Sequence, residues 1–242
     1  MDRYQRQKIY KNFSKTSQKR LRSAKVSIIG AGALGNSVSD LLVRAGIGNI
    51  TLFDEDSVEL VNLHRQTLFT EKDVGKSKVL SAKNHLEKIN SDVIISVCEK
   101  FVSEDDLLTA GLLDDSDLVI DCTDNMEARL FLNKYCIKKR IALLHVSAIE
   151  ETGNVIFFEN NVNKSPCLRC IYNENMKSRK CSELGVLNTI TTGISAIASM
   201  TAIKFLINEK IETNIILRLN IWNNNLEKIK IKHNPLCPIC SD

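Results

Sequence analysis

The sequence predicts an α/β protein in which a doubly wound, mostly parallel sheet is extended by antiparallel strands and carries a four-cysteine knuckle. Three observations support this fold class. Apolar strand-like segments alternate with amphipathic helices through residues 1–150, strands surround one long apolar helix in 151–242, and two Cys-x-x-Cys pairs lie in that second half. We therefore expect a single domain, 1–242, composed of these two halves.

The first half alternates strand and helix as a parallel sheet requires. Short apolar runs predict strands at 25–30, 49–54, 93–98, 118–121 and 141–146. Apolar positions at helical spacing predict helices at 33–45, 71–89, 104–113 and 125–138. Thr70, with Asp73 three residues later, is typical of a helix N-terminus and marks the start of the second of these helices.

The second half follows a different pattern. Strands are predicted at 155–159, 215–221 and 226–231, with an asparagine-rich turn between the last two, and a helix is predicted at 189–206. No strong pattern covers 164–188, which we interpret as a long loop. Loops of that length in compact domains are usually functional or mobile.

Composition narrows the classes of function. The 242 residues are 43% hydrophobic and 26% charged, which allows a real core and argues against wholesale disorder. The formal net charge is only +4 and no long block of like charge occurs, so we expect no nucleic-acid partner. The N-terminus lacks an apolar signal-peptide core, and the apolar stretch 190–207 is broken by polar residues, so we expect a buried helix and no membrane anchor. A cytosolic location follows by default.

A glycine-rich turn, GAGALG at 30–35, joins the first predicted strand to the first predicted helix. Gly30 permits the tight turn, Gly32 lets backbone amides approach a phosphate, and Gly35 lets the helix pack on the strand. Asp54 ends the next strand, where it can accept a hydrogen bond from a ribose hydroxyl. This Rossmann-like pattern predicts a bound nucleotide without deciding between NAD and ATP.

Charged residues near this turn favour triphosphate chemistry. Arg65 and Lys78 can bring positive charge to phosphates, and Asp124, at the carboxyl end of a strand, offers a hard oxygen ligand for Mg²⁺. Each also has an ordinary interpretation: a surface arginine, a helix lysine and a helix N-cap. Together they supply what adenylyl transfer needs, a reaction in which a carboxylate attacks the α-phosphorus and pyrophosphate leaves.

Two Cys-x-x-Cys pairs indicate a structural metal. Cys167 with Cys170 and Cys237 with Cys240 are separated by 66 residues, and four thiolates suit a closed tetrahedral Zn²⁺ site. Neither pair lies at the first turn of a strand–helix unit, where a thioredoxin-like redox motif would be expected. We therefore predict a zinc site that contributes stability and leaves no open position for chemistry.

Cys181 is an additional thiol in the predicted loop. Lys177, Arg179 and Lys180 surround it in sequence and would lower its pKa, which favours the nucleophilic thiolate. It could form a thioester, an acyl disulfide or a persulfide, or it could be an unreactive loop cysteine. The residues themselves leave both alternatives open.

The remaining cysteines and the histidines are interpreted as structural. Cys98, Cys122 and Cys136 lie in predicted strands or helices and are expected in the core. His85 is expected to face solvent on its helix and His145 to fill the sheet. We assign catalysis to none of the four histidines.

Taken in order, these motifs resemble the E1-like activating enzymes of the ThiF/MoeB/HesA group. The resemblance runs from the RYQRQ segment at 3–7 to Cys240. It includes the glycine turn, Asp54, the NLHRQ segment at 62–66, Lys78, the DCTDN segment at 121–125, both cysteine pairs, and Cys181 followed by 185–187. Several ordered motifs in one chain are far more specific than a glycine turn alone. His64 departs from the family pattern, which we expect to carry glutamine or a similar residue there.

The resemblance implies residue roles and partners. The nucleotide, ATP, would be held by the glycine turn and by Asp54, Asn62, Arg65, Gln66 and Lys78. Asp124 would bind Mg²⁺, and Arg6 would reach into the partner subunit's active site in a homodimer. The residues 1–150 would then be the nucleotide-binding half and 151–242 the half that binds a carrier and zinc.

The resemblance also implies the reaction. The chain would adenylylate the C-terminal glycine of a small ubiquitin-like sulfur-carrier protein, ThiS-like for thiamine or MoaD-like for the molybdenum cofactor, and the 181–187 segment slightly favours the former. No rhodanese-like extension follows Cys240, so a separate sulfur donor is expected. Three alternatives stay open: a relative that acts on a different carrier or peptide, a non-catalytic carrier-binding scaffold, and an NAD-dependent oxidoreductase that shares only the glycine turn.

Overall fold

The structure, a computed structural model, describes residues 2–100, 111–160, 165–172 and 184–241. One eight-stranded sheet has the order β3-β2-β1-β4-β5-β6-β7-β8. The strands are β1 (Lys25–Ile29), β2 (Asn49–Phe53), β3 (Ile94–Cys98), β4 (Leu118–Asp121), β5 (Ala142–Ile149), β6 (Thr152–Phe158), β7 (Ile215–Asn220) and β8 (Asn225–Lys230). Strands β1 to β5 pair in parallel, and β6 to β8 add antiparallel pairs. The predicted fold class is confirmed.

Helices cover both faces of the sheet. They are α1 (Gln5–Lys8), α2 (Ser17–Ser23), α3 (Ala33–Ala45), α4 (Lys78–Ile89), α5 (Met126–Lys139), α6 (Leu168–Ile171) and α7 (Asn188–Leu206). One hydrophobic cluster joins α3, α4 and α7 to the sheet, and a second joins α5 and α6. Parallel strands buried between two helical layers are what a doubly wound fold requires.

Helix α3 shows how the sequence sets this arrangement. Leu34, Val38 and Leu42 recur at four-residue spacing, and all three are buried against the sheet and α7. Gly46, with φ of +84°, ends the helix in a left-handed C-cap. The helix is therefore fixed along its apolar face and stops where the chain turns into β2.

Helix α7 is long and apolar enough to cross a membrane when judged by length and composition alone. Half of its most apolar 18-residue window is nevertheless buried within the protein. It packs on α3 and on the sheet strands β5, β6 and β7. The prediction that 189–206 forms a buried helix is therefore confirmed.

The predicted helix at 71–89 is wrong in its first turns. Thr70 and Asp73 form a capping box, but it opens only a single 3₁₀ turn, Glu71–Asp73. Gly75 then takes φ of +82°, and Ser77 caps α4, which begins at Lys78. Because a left-handed residue cannot continue a right-handed helix, one predicted helix becomes a turn and a shorter helix.

Other predictions need smaller changes. The segment predicted as a loop at 164–188 contains α6 in its described part, and 173–183 lies outside the described residues. The helix predicted at 104–113 lies mostly outside them too, and its described end, 111–113, is not helical. His85 was expected to face solvent, but its Nε2 hydrogen-bonds Asp73 Oδ2 at 2.9 Å and the side chain is largely covered.

Candidate functional site

The glycine turn between β1 and α3 is tightly packed. Gly30 has φ of +94°, and a Cβ there would lie 2.8 Å from the carbonyl oxygen of Cys122. A Cβ on Gly35 would lie 1.9 Å from the carbonyl oxygen of Gly30. Neither position accepts a side chain without moving backbone. The predicted reasons for Gly30 and Gly35, a tight turn and close packing of helix on strand, are confirmed by these contacts.

Gly32 differs because it faces open space. A Cβ there would come no nearer than 4.0 Å to the Gln66 side chain, and Gly32 lines the cleft. It is also the N-cap of α3, and no side chain caps that helix start. The first amide groups of a helix lack intrahelical partners and favour anions, so this end of α3 is suited to a phosphate.

Asp54 supports the turn from the end of β2. One carboxylate oxygen accepts the N–H of Ala31 at 2.7 Å, and the other accepts the N–H of Asp56 at 2.9 Å. Burial raises the pKa of Asp54, while the nearby charge of Lys78 opposes that rise. A carboxylate has about four lone-pair sites, so acceptance from a ribose hydroxyl is compatible with both bonds.

A cleft of about 520 Å³ opens at the carboxyl ends of β1, β2 and β4. This volume is within the range of nucleotide-sized sites. The strand order reverses between β1 and β4, and ligands of open α/β sheets bind at such a switch point. Every residue predicted to bind nucleotide lines this cleft except Gly35, which packs beneath it: Gly30, Gly32, Asp54, Asn62, Arg65, Gln66, Lys78 and Asp124.

Lys78 is the first residue of α4 and is almost fully buried. Its Nζ lies 2.7 Å from Asp56 Oδ2 and 3.9 Å from Asp54 Oδ1. The lysine is therefore already neutralised by carboxylates. A phosphate that contacts Lys78 must compete with Asp56, whose side chain is largely exposed and can move away.

Asn62 ends the 3₁₀ turn Leu60–Asn62, and Arg65 and Gln66 lie in the short segment that follows it. Arg65 Nη1 donates to the Val61 carbonyl at 3.0 Å and lies 2.8 Å from His64 Nε2. The Gln66 amide donates to Asn62 Oδ1 at 2.7 Å, and its own Oε1 is buried without a partner among the described residues. An unpartnered buried oxygen beside a polar cleft is a sign that a ligand or water completes the site.

Asp124 lies in the turn between β4 and α5 and is exposed on the cleft. The interpretation of Asp124 as a helix cap is wrong, because Asn125 is the N-cap and its side chain accepts the N–H of Glu127 at 2.9 Å. Among the described residues, no hydrogen bond or ion pair engages the Asp124 carboxylate. It is therefore free to bind a cation.

Two residues of the site were missed from sequence. Asn36, inside the apolar stripe of α3, donates to the Ala31 carbonyl at 2.9 Å and accepts the Leu68 N–H at 2.8 Å, which ties the glycine turn to the next loop. Arg129, one turn into α5, donates to the Thr123 carbonyl from Nε at 3.1 Å and Nη2 at 2.6 Å. Asn36 could have been noticed because a polar asparagine occupies a core-facing position of α3. Arg129 could have been noticed because it lies one turn into the helix that follows Asp124.

Arg6 does not lie in this cleft. It is exposed on α1 and does not line the cleft of its own chain. Its predicted role, which requires a second subunit, therefore stays a prediction. Cys181 and the basic residues beside it lie outside the described residues. Among the other thiols, Cys122 and Cys136 are buried as predicted, while Cys98 is half-buried.

The four predicted metal ligands form one cluster. The sulfurs of Cys167, Cys170, Cys237 and Cys240 all lie within 4.8 Å of one another, and the pairs 167–237 and 170–240 are 3.8 and 3.5 Å apart. Sulfurs bound about 2.3 Å from one tetrahedral zinc are about 3.8 Å apart, so the cluster fits that ion. Burial raises the pKa of Cys167 to about 11. A divalent cation would displace these protons and hold the thiolates.

The cluster also fixes the C-terminal segment to the core. Leu168, between the first two cysteines, donates its N–H to Asn133 Oδ1 at 2.9 Å, and both residues are buried. Asn133 belongs to α5, whose N-terminus carries the Asn125 cap beside the cleft. The cysteine cluster is thus attached to the middle of the helix whose N-terminus borders the cleft.

A family model and curated relatives of this chain point to the same family. The model of the ThiF family matches residues 4–239. The molybdopterin-synthase adenylyltransferase of Escherichia coli (strain K12) is 36% identical over 244 residues, covering 99% of this chain and 96% of that protein. The sulfur carrier protein ThiS adenylyltransferase of Bacillus subtilis (strain 168) is 32% identical over 244 residues, covering 98% and 71%.

A solved structure supports the same fold. The crystal structure of E. coli MccB with ATP superposes with a TM-score of 0.86 at 24% sequence identity, covering all of this chain and 75% of that one. The family match across almost the whole chain, together with relatives above 30% identity, is the decisive observation. The chain is a member of the ThiF family.

Proposed function

We propose that this chain is an ATP-dependent adenylyltransferase that activates the C-terminal glycine of a ubiquitin-like sulfur-carrier protein. One observation carries the proposal: a single cleft at the sheet's switch point brings together the uncapped helix start at Gly32 and the cations Arg65 and Lys78. The same cleft contains the carboxylate of Asp124, which has no partner in the described part of the chain. Two relatives that span nearly all of this chain are named adenylyltransferases, one of molybdopterin synthase and one of ThiS.

The residues have distinct roles in this reaction. The helix start at Gly32 and the side chains of Arg65 and Lys78 bind and orient the phosphates, while Asp54 orients the ribose. The carrier carboxylate attacks the α-phosphorus, the bond to the bridging oxygen of the β-phosphate breaks, and pyrophosphate leaves with that bond's electrons. Catalysis rests on positioning and on neutralising the charge that spreads over the phosphates.

Two metals complete the proposal. Asp124 would hold Mg²⁺, which supplies Lewis-acid neutralisation of phosphate charge when bound. Carboxylates outnumber cations in the cleft lining, five against four, which favours entry of the nucleotide together with a divalent cation. The carboxylates are Asp54, Glu55, Asp56, Glu59 and Asp124, and the cations are Arg65, Lys78, Lys100 and Arg129. Cys167, Cys170, Cys237 and Cys240 would hold Zn²⁺, for stability only.

Further parts of the proposal concern partners. Arg6 would serve the neighbouring active site of a homodimer, which its exposed position on α1 allows. A separate protein would donate sulfur, and Cys181 would either carry an acyl or sulfur intermediate or have no chemical role. The carrier would be ThiS-like or MoaD-like, for thiamine or molybdenum-cofactor biosynthesis, in a cytosolic enzyme.

Carrier-dependent exchange of labelled pyrophosphate into ATP tests the proposal. The purified chain is offered a ThiS-like and a MoaD-like carrier, each also prepared without its terminal Gly-Gly as a matched control. Exchange with one intact carrier and none with its truncated form is expected, and the preferred carrier identifies the pathway. Absence of exchange with both carriers, or saturable NAD(H) binding in place of ATP binding, would refute it.

A further inference from the structure

A buried acid–histidine pair lies directly behind the turn that carries Asp124. Asp121 ends β4 and His145 is its register partner on β5. Both side chains are fully buried, and His145 Nδ1 lies 2.7 Å from Asp121 Oδ2. Burying a carboxylate is costly unless hydrogen bonds compensate it, so this pair needs a reason beyond filling space.

The other carboxylate oxygen of Asp121 holds the turn itself. Asp121 Oδ1 accepts the backbone N–H of Thr123 at 3.0 Å and the Thr123 hydroxyl at 2.7 Å. Arg129 donates to the Thr123 carbonyl through two guanidinium nitrogens. Thr123 is therefore fixed at its amide, its hydroxyl and its carbonyl. The next residue, Asp124, extends from this clamp into the cleft.

The charge states of the pair follow from its surroundings. Burial raises the pKa of Asp121, but hydrogen bonds from His145 and Thr123 and the charge of Arg129 outweigh it, so the pKa is lowered. Burial also lowers the pKa of His145, which leaves the imidazole neutral at pH 7. A neutral imidazole has one N–H, and the carboxylate beside Nδ1 assigns that proton to Nδ1.

The surroundings of Nε2 are consistent with Nδ1 being the imidazole nitrogen that forms the hydrogen bond. His145 Nε2 is buried and has no hydrogen-bond partner among the described residues. The ring meets the Tyr172 ring edge-on, with centroids 6.2 Å apart. Nε2 therefore makes no hydrogen bond within the described part of the chain. Any polar role of His145 must depend on the hydrogen bond between Nδ1 and Asp121.

We propose that His145 is a positioning residue: its Nδ1–H keeps the Asp121 carboxylate aimed at Thr123, and that clamp directs Asp124 into the nucleotide cleft. The proposal rests on the proposed role of Asp124 as the magnesium ligand. Outer hydrogen bonds that orient a ligating carboxylate usually change metal affinity about 10- to 100-fold when they are lost. The competing explanation is that His145 only fills volume between β5 and Tyr172.

Three substitutions at His145 separate these explanations. Asparagine places an amide N–H close to the position of Nδ1 but leaves a cavity. Glutamine keeps the size and polarity but carries its amide toward the position of Nε2, and leucine keeps bulk without any donor. If positioning matters, His145→Asn is the mildest change. If packing matters, His145→Asn is the most harmful, because it removes the most volume.

The affinity of the full chain for α,β-methylene ATP is measured by calorimetry, once with Mg²⁺ and once with EDTA. Magnesium-dependent binding is expected to weaken about 10-fold in His145→Gln and His145→Leu but at most about 3-fold in His145→Asn. Binding in EDTA is expected to stay unchanged in all three. Wild-type affinity in the Gln and Leu variants, or an equal or greater loss in the Asn variant, would overturn the proposal.

A second pair decides the matter if the Gln and Leu variants fail to fold. Thr123→Val removes the hydroxyl that bonds Asp121, and Thr123→Ser retains it. We expect Thr123→Val to weaken magnesium-dependent binding about 3-fold and Thr123→Ser to bind as the wild type does. Equal binding by the two variants would overturn the proposal. A wild-type chain that binds no nucleotide would instead refute the proposed function.

Discussion

The nucleotide cleft and the cysteine cluster are both built for ligands, but their side chains are arranged in opposite ways. In the cleft, Lys78 is already paired with Asp56, and Arg65 lies against His64 and a carbonyl. In the cluster, the four sulfurs lie within 4.8 Å of one another, and each has another sulfur within 3.8 Å. These two cations of the cleft are thus already engaged by groups of the protein itself, whereas the four thiols of the cluster have mainly one another as partners.

This difference indicates how each ligand is used. Cations that are already paired internally tolerate repeated binding and release of an anionic ligand, because its departure leaves no unpaired cation. Four clustered thiols gain most when a metal removes their protons, so that metal is expected to remain bound and to stabilise the fold. The cleft thus suits a substrate and the cluster a structural ion.

The largest effect is expected from removal of one of the four cysteines proposed to bind zinc. Cys237→Ser is expected to lower the free energy of unfolding by about 4 kcal/mol or more, because it would lose the ion that ties the C-terminal segment to α5. Metal analysis should show a fall from about one zinc per chain toward none. The matched control is Cys98→Ser, a half-buried thiol outside the cluster, which should cost about 1 kcal/mol or less. Full stability and metal content in the Cys237 variant would contradict a structural ion.

The next test acts on the cleft and should leave the fold intact. Asp124→Ala is expected to slow carrier-dependent pyrophosphate exchange about 10³-fold, or about 4 kcal/mol, because the proposed magnesium ligand is lost. The unfolding midpoint should hardly change, since the side chain is exposed. Asp115→Ala provides the control: this carboxylate is 92% exposed, pairs only loosely with Lys25 and lies away from the cleft. Equal rates in the two variants would remove Asp124 from the mechanism.

A smaller effect concerns the response to acid of the capping box that precedes α4 and the cleft residue Lys78. Burial raises the pKa of Asp73, but hydrogen bonds from Thr70 and His85 outweigh it and bring the pKa to about 2, against an ordinary 3.8. A carboxyl whose folded pKa is lowered stabilises the protein above its unfolded pKa and loses that effect as the pH falls. About 2 kcal/mol of stability should therefore disappear between about pH 4 and pH 2.

Denaturant unfolding across that pH range measures this contribution. The Asp73→Asn variant cannot titrate at this position, so its stability should fall less than that of the wild type over the same interval. Parallel curves for the two proteins would show that Asp73 keeps an ordinary pKa.

The smallest expected effect tests the internal pairing of the cleft. Asp56→Asn removes the carboxylate that neutralises Lys78 and should strengthen ATP binding about fivefold, or about 1 kcal/mol, since the lysine no longer exchanges one anion for another. Asp40→Asn, which breaks the surface pair with Arg44 on α3, is the control and should leave the affinity unchanged. Weaker ATP binding in Asp56→Asn would mean that Asp56 assists the ligand.

The sequence predicted the fold class and most of the residues that the structure brings together in the cleft and in the cysteine cluster. Alternating apolar strands and amphipathic helices predicted the sheet, and α3 begins and ends where its pattern predicts. The glycines, Asp54, Lys78 and the four cysteines were identifiable because each position is restricted by local chemistry: a turn, a helix start or a ligand set. Such restrictions act over a few residues and are therefore visible in a linear sequence.

Which polar groups contact one another became clear only from the folded chain. Sequence could not show that Asn125 rather than Asp124 caps α5, that Lys78 pairs with Asp56, or that His145 lies beside Asp121. The last two contacts join residues 22 and 24 positions apart. Such pairings depend on strand order, on register and on which groups burial deprives of water, and those quantities exist only once the chain has folded.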